Sequence, residues 1–123
     1  MSLTPAVVAA IVLYILKFLL GIWLSQAGRP YSVALVTVHK LSSVAVIVLL
    51  GIAVFRAGQA GELCPGKVTV FVLTGLVLLA ALVSGGLVSG AKPAHAVPVW
   101  MHKIAPYVSV VLMALSVYLL VRK

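Results

Sequence analysis

Acidic residues are almost absent from this chain of 123 residues, which has one, Glu62, against nine lysines and arginines. A proton-coupled multidrug transporter of four spans needs a carboxylate within the membrane to exchange protons for cations. Because Glu62 falls in a predicted loop, this class is excluded. Cysteine is equally scarce: Cys64 stands alone in the segment GELCPGK. It therefore has no intramolecular disulfide partner and no second thiol for quinone-coupled disulfide chemistry.

The net charge of +8 does not indicate a nucleic-acid-binding protein. The basic residues lie mainly at the ends of apolar runs, where they anchor helices to lipid headgroups, and no basic helix outside those runs could bind a polynucleotide. Hydrophobic residues make up 64% of the chain, and the mean hydropathy is +1.31. A soluble domain of this size could not bury so much apolar surface, so the sequence predicts an integral membrane protein.

Four apolar runs are long enough to cross the hydrocarbon core of a bilayer, which takes about 20 helical residues. They cover Pro5–Ser25, Val33–Phe55, Val68–Ser89 and Val97–Val121. Backbone groups in lipid must be bonded within each segment, so we predict an all-α, up-down bundle of four transmembrane helices, forming one domain over residues 1–123. The first run contains Lys17 and follows no basic residue, so we expect a retained helix rather than a signal peptide.

The two halves of the sequence correspond at an offset of 63 residues. Arg29-Pro30 aligns with Lys92-Pro93, and nine positions further on His39-Lys40 aligns with His102-Lys103. We therefore predict two parallel helical-hairpin repeats, about 5–56 and 68–121. Each unit has two helices, so both copies enter the membrane from the same side. This arrangement puts both termini on one side and both histidines about 8 to 9 Å below the opposite surface.

The second and fourth helices lie across the diagonal of such a bundle, so His39 and His102 are expected to face each other. One explanation is structural: each ring bonds to a backbone carbonyl or to a hydroxyl such as that of Ser42 or Ser43. The other is axial ligation of one haem iron by both imidazoles. Glycines at the corresponding depth of the other two helices would then leave room for the macrocycle, or would simply allow close helix packing. These are Gly21, which aligns with Ser84, and the pair Gly85 and Gly86.

Further cofactor contacts are predicted around the histidines. Cations on that side would pair with the haem propionates, although snorkelling to the interface also explains them. They are Arg29, Lys40, Lys92 and Lys103, and apolar walls are expected from Val46, Leu50, Tyr107, Val110 and Met113. His95, in the loop before the fourth helix, is the candidate acceptor of a proton from a quinol.

The placement of His39, His102, Gly21 and Gly85 or Gly86 resembles the four-helix b-type cytochromes of membranes, such as cytochrome b561-like proteins and the haem-bearing bundle of quinol-oxidising cytochrome b. The resemblance implies a haem b and electron transfer as a component of an oxidoreductase. It also implies a partner besides the lipid bilayer: a quinone, a redox protein or a second copy of the chain. Those cytochromes usually carry two histidine pairs, whereas this sequence has no histidine near the other surface.

Two other functions stay open: a non-catalytic membrane subunit or assembly factor, and a protein that handles haem or porphyrin. The expected location is a prokaryotic cytoplasmic membrane. Basic residues are balanced between the two sides. If Lys40 and Lys103 are discounted because they lie within helices, the positive-inside rule places both termini in the cytoplasm.

Overall fold

The structure, a computed structural model, describes residues 4–90 and 95–122 and contains four long α-helices, with no β-strand in those ranges. The helices are α1 (Pro5–Ala27), α2 (Val33–Gln59), α3 (Pro65–Gly90) and α4 (Ala96–Val121). Each is long and apolar enough to cross a membrane. The predicted all-α, four-helix membrane bundle is therefore confirmed, and α2 and α3 extend a few residues beyond the predicted spans.

Local sequence signals fix where the helices begin and end. Thr4 precedes α1 and its hydroxyl accepts a hydrogen bond from the N–H of Val7, while Ser32 caps α2 in the same way. Short polar side chains at this position satisfy N–H groups that have no partner within the helix. At the other end of α1, Gly28 adopts a φ of 70° and donates its N–H to the carbonyl of Leu24. Only a residue without a Cβ takes this backbone conformation at little cost.

The interior of the bundle carries hydroxyl groups, while large apolar side chains cover its outside. The buried polar residues are Lys17, Ser42, Ser43, Thr74, Ser84, Ser109 and Ser116. Leu41, Phe55 and Val111 are among the apolar side chains that are mostly exposed. This distribution suits a lipid solvent, because small and hydroxyl residues let membrane helices approach and bond to one another. The described part of the chain is thus built as an integral membrane protein.

The helices pack as two hairpins, α1 with α2 and α3 with α4, and the hairpins contact each other less closely than their own helices do. On one side of this interface α2 contacts both α3 and α4. On the other side, the hydroxyl of Tyr14 in α1 reaches the hydroxyl of Ser109 in α4 at 2.6 Å. Apolar residues fill the centre of the interface: Ala10, Tyr14, Val46, Leu50, Leu78 and Met113.

Burial follows the same pattern in both hairpins, but not at one common offset. In α2 and α4 the buried positions Val46, Leu50 and Ala53 correspond to Ser109, Met113 and Ser116, 63 residues later. In α1 and α3 the buried positions Val7, Ala10, Tyr14, Lys17 and Leu20 correspond to Phe71, Thr74, Leu78, Ala81 and Ser84, 64 residues later. The ungapped alignment of Gly21 with Ser84 was therefore wrong by one residue, and Gly85 is the true counterpart. Leucine and valine matches could not reveal this shift, because such residues occur on every face.

Candidate functional site at two half-buried histidines

His39 and His102 come together at the interface between the hairpins. His39 lies six residues after the start of α2, and His102 lies six residues after the start of α4, so both are about 9 Å along their helices. Their ring centroids are 6.4 Å apart, and the ring planes make an angle of 86°. The structure thus brings the two imidazoles to the same depth and close to each other.

Each ring is anchored to the other helix of its own hairpin. The Nδ1 atom of His39 lies 3.0 Å from the carbonyl oxygen of Lys17, and that of His102 lies 3.0 Å from the carbonyl oxygen of Ala81. Because a carbonyl only accepts hydrogen bonds, each Nδ1 must carry the proton and donate it. A neutral imidazole in this tautomer keeps its lone pair on Nε2, which is the nitrogen left for a ligand.

Glycines allow the rings to lie against the neighbouring helices. A Cβ added at Gly21 would come within 3.1 Å of Cε1 of His39, and one added at Gly85 within 2.7 Å of Cε1 of His102. A Cβ at Gly86 would meet no atom of the described chain within 4 Å. The space that we expected to receive a macrocycle edge therefore receives the imidazoles themselves, and Gly86 takes no part in this contact.

A hydroxyl group lies next to one of the two anchored rings. The hydroxyl of Ser84 lies 3.4 Å from Nδ1 of His102, whereas the hydroxyl of Ser43 donates to the backbone carbonyl of His39 at 2.8 Å. Ser43 is thus bonded within its own helix. The structure contains the bond from each ring to a backbone carbonyl that the structural explanation predicted. This bond uses Nδ1 of each ring and leaves Nε2 for another partner.

Three of the four predicted cations fall within the described residues, and they lie at the same end of the bundle as the histidines. Lys40 is half-buried next to His39, and Lys103 is exposed, with its ammonium 5.9 Å from the ring of Trp100. Arg29 donates to the carbonyl oxygen of Val88. The remaining predicted cation, Lys92, falls outside the described residues.

His95 is exposed at the N-cap of α4. It lies seven residues before His102, about 10 Å along the helix axis. Ser32 occupies the equivalent N-cap of α2, so the two hairpins differ at this position. His95 is therefore at the same end of the bundle as His39 and His102 but is not part of the contact between them.

Two of the residues expected to wall the site face outward instead. Val46, Leu50 and Met113 are buried in the core, but Tyr107 is 72% exposed and Val110 is 40% exposed. An α-helix turns about 100° per residue, which places Tyr107 about 140° around α4 from His102. The prediction of Tyr107 and Val110 as walls was therefore wrong.

Lys17 is a charged residue within an apolar span, close to the site. Its side chain is 7% exposed, and its ammonium lies 5.0 Å from the ring centre of Tyr14. A lysine in an apolar span can be noticed from the sequence, but the span alone does not say whether it snorkels or turns inward. The bond between Tyr14 and Ser109 was also not predicted, because neither residue stands out in its helix.

The fold and the site together define an all-α membrane protein with a pair of half-buried histidines between its two hairpins. No family model, curated protein or solved structure matches the chain. Within residues 4–90 and 95–122, no third His, Cys, Asp or Glu joins His39 and His102. Two imidazoles are the number that axial haem ligation requires, and fewer than a closed zinc site takes.

Proposed function

We propose that this protein is a membrane b-type cytochrome that holds one haem through His39 and His102 and transfers electrons. The observation that carries the proposal is the anchored pair of imidazoles: the rings lie 6.4 Å apart, and each is held through Nδ1 by a backbone carbonyl. The partner would be a quinol or a redox protein, and the location a prokaryotic cytoplasmic membrane.

The separation of the rings agrees with that of two imidazoles bound to one metal ion. A metal ion lies about 2.0–2.1 Å from an imidazole nitrogen, and that nitrogen about 1.2 Å from its ring centre, so two rings on opposite sides of one ion have centres about 6.5 Å apart. The observed centroid distance of 6.4 Å agrees with this value. Two aromatic rings in direct edge-to-face contact also have centres about 4.5–7 Å apart, so the proposal depends on the hydrogen bonds of the rings as well as on their spacing.

The hydrogen bonds of the rings also fit a ligand role. Histidines that bind metals usually donate the other ring N–H to a carbonyl or carboxylate, which fixes the tautomer and the ring orientation. Both His39 and His102 make this bond. When bound, haem supplies a one-electron ferric/ferrous couple. His39 and His102 would hold the haem through Nε2, and Lys40 and Lys103, the next residue in each helix, would supply cations for its propionates.

The remaining part of the proposal concerns the reductant. His95 is exposed at the end of the bundle that carries His39 and His102, so a quinol docking there could pass its proton to the imidazole of His95. The single histidine pair lies near one membrane surface, and a redox protein or a second copy of the chain would carry electrons across the rest of the bilayer.

The test is the absorption spectrum of the purified full-length protein with and without added haemin. We expect a sharp Soret band that shifts on reduction by dithionite, with the low-spin spectrum of two imidazole ligands. The variants His39→Ala and His102→Ala should each lose this spectrum, because one axial position is left empty. His95→Ala is the matched control and should retain it.

Three results would contradict the proposal. A protein that stays colourless with haemin would favour a non-catalytic membrane subunit or assembly factor. Unchanged spectra in both His39→Ala and His102→Ala would remove these residues as ligands. If a metal-free porphyrin binds as tightly as haemin, the pocket handles porphyrins and the iron contacts contribute little.

A further inference from the structure

Lys17 is a buried cation for which the chain provides no carboxylate nearby. The whole sequence has one acidic residue, Glu62, which lies in the loop between α2 and α3. This loop is at the end of the bundle where α1 begins, and Lys17 lies twelve residues from that end, about 18 Å along α1. The side chain of Lys17 is nevertheless 93% buried. A charge in such a place is costly and indicates a function.

The position of Lys17 relative to His39 is fixed by the backbone. Its carbonyl oxygen accepts the hydrogen bond from Nδ1 of His39 at 3.0 Å. The four-carbon stem of a lysine places the ammonium about 6 Å from its own backbone, so this charge lies within about 10 Å of the His39 ring. The ammonium lies against the ring of Tyr14, whose hydroxyl bonds to Ser109 across the hairpin interface.

The second hairpin has no such charge. Ala81 is the counterpart of Lys17, because its carbonyl oxygen accepts from His102 at the same distance of 3.0 Å. The glycine four residues later contacts the ring in both hairpins: Gly21 with His39, and Gly85 with His102. The two sides of the histidine pair thus match in the bond to a backbone carbonyl and in the contact with a glycine. They differ in the hydroxyl of Ser84 beside His102 and in the positive charge of Lys17.

We infer that Lys17 is a fixed positive charge that raises the reduction potential of the haem held between His39 and His102. The inference rests on the proposed haem site. Reduction adds one electron to ferric iron, so a neighbouring cation stabilises the ferrous form relative to the ferric form. A unit charge about 12 Å from the iron changes this equilibrium about tenfold at an effective dielectric constant of about 20.

The test is a potentiometric titration of the haem-loaded protein with dithionite as the electron donor. In Lys17→Met and Lys17→Gln, which remove the charge, the midpoint potential should fall and the ferric/ferrous ratio at a fixed potential should rise about tenfold. Lys17→Arg keeps the charge and should stay close to the unmodified protein. If the role of Lys17 were purely structural, the variants would change the melting temperature, but the midpoint potential would not separate the neutral variants from Lys17→Arg.

The counterpart at Ala81 allows a second, symmetric test. In the double variant Lys17→Met with Ala81→Lys, the charge moves to the matching place beside His102, and the midpoint potential should return toward the original value. An unchanged potential in Lys17→Met and Lys17→Gln, with the bis-imidazole spectrum intact, would overturn the inference while leaving the haem site standing. A protein that binds no haem would instead refute the proposed function.

Discussion

The contact between Gly85 and His102 gives the sharpest test of the packing at the site. In Gly85→Ala the new methyl group would lie 2.7 Å from Cε1 of His102, whereas carbon atoms in good contact are about 3.5–4.0 Å apart. The ring would have to move by about 1 Å. It is held by its hydrogen bond to the carbonyl of Ala81 at 3.0 Å, so the movement strains that bond.

Overpacking of this kind costs about 1–3 kcal/mol, and the higher helix propensity of alanine returns up to about 1 kcal/mol. We therefore expect Gly85→Ala to lower the free energy of unfolding by about 1–2 kcal/mol. The matched control is Gly86→Ala, one residue further along α3. Its methyl group meets no atom of the described chain within 4 Å, so it should be neutral or slightly stabilising.

The assay is reversible unfolding in mixed micelles, followed by circular dichroism for both variants under the same conditions. Gly21→Ala should fall between the two, because its methyl group would lie 3.1 Å from Cε1 of His39 and needs a smaller shift. Equal stability of the Gly85→Ala and Gly86→Ala variants would refute the close approach of the His102 ring to α3.

The hydrogen bonds between helices lead to two further predictions. Tyr14→Phe removes the 2.6 Å bond to Ser109 that joins the hairpins, and we expect it to lower the free energy of unfolding by about 1 kcal/mol in the same assay; an unchanged value would show that this bond does not hold α1 against α4. Ser116→Ala removes the 2.8 Å bond to Thr74 within the second hairpin and should cost about 0.6 kcal/mol. Ser42→Ala is the control for both, because the hydroxyl of Ser42 bonds within its own helix. A larger loss of unfolding free energy in Ser42→Ala than in Ser116→Ala would contradict a stabilising bond between Ser116 and Thr74.

The meeting of the two histidines was predictable in part, because they follow the predicted starts of their helices, Val33 and Val97, by six and five residues. Ser32 before α2 is a recognisable cap, and the apolar run after His95 marks the start of α4. The depth of each ring therefore follows from local sequence. Its neighbours do not: Gly85 rather than Ser84 corresponds to Gly21, and one residue of shift turns a helix by about 100°. Composition is nearly the same on all faces of α3, so the shift is visible only in the packing.

The sequence by itself determined that the chain forms four membrane-spanning helices and that His39 and His102 lie at one depth. Each of these properties depends on a single segment, because a helix in lipid satisfies its own backbone groups and its length follows from its apolar run. The tertiary structure alone decided that the rings lie 6.4 Å apart and are anchored through Nδ1, and that Lys17 turns inward. These properties depend on how side chains of different helices fit together, and no single segment contains that information.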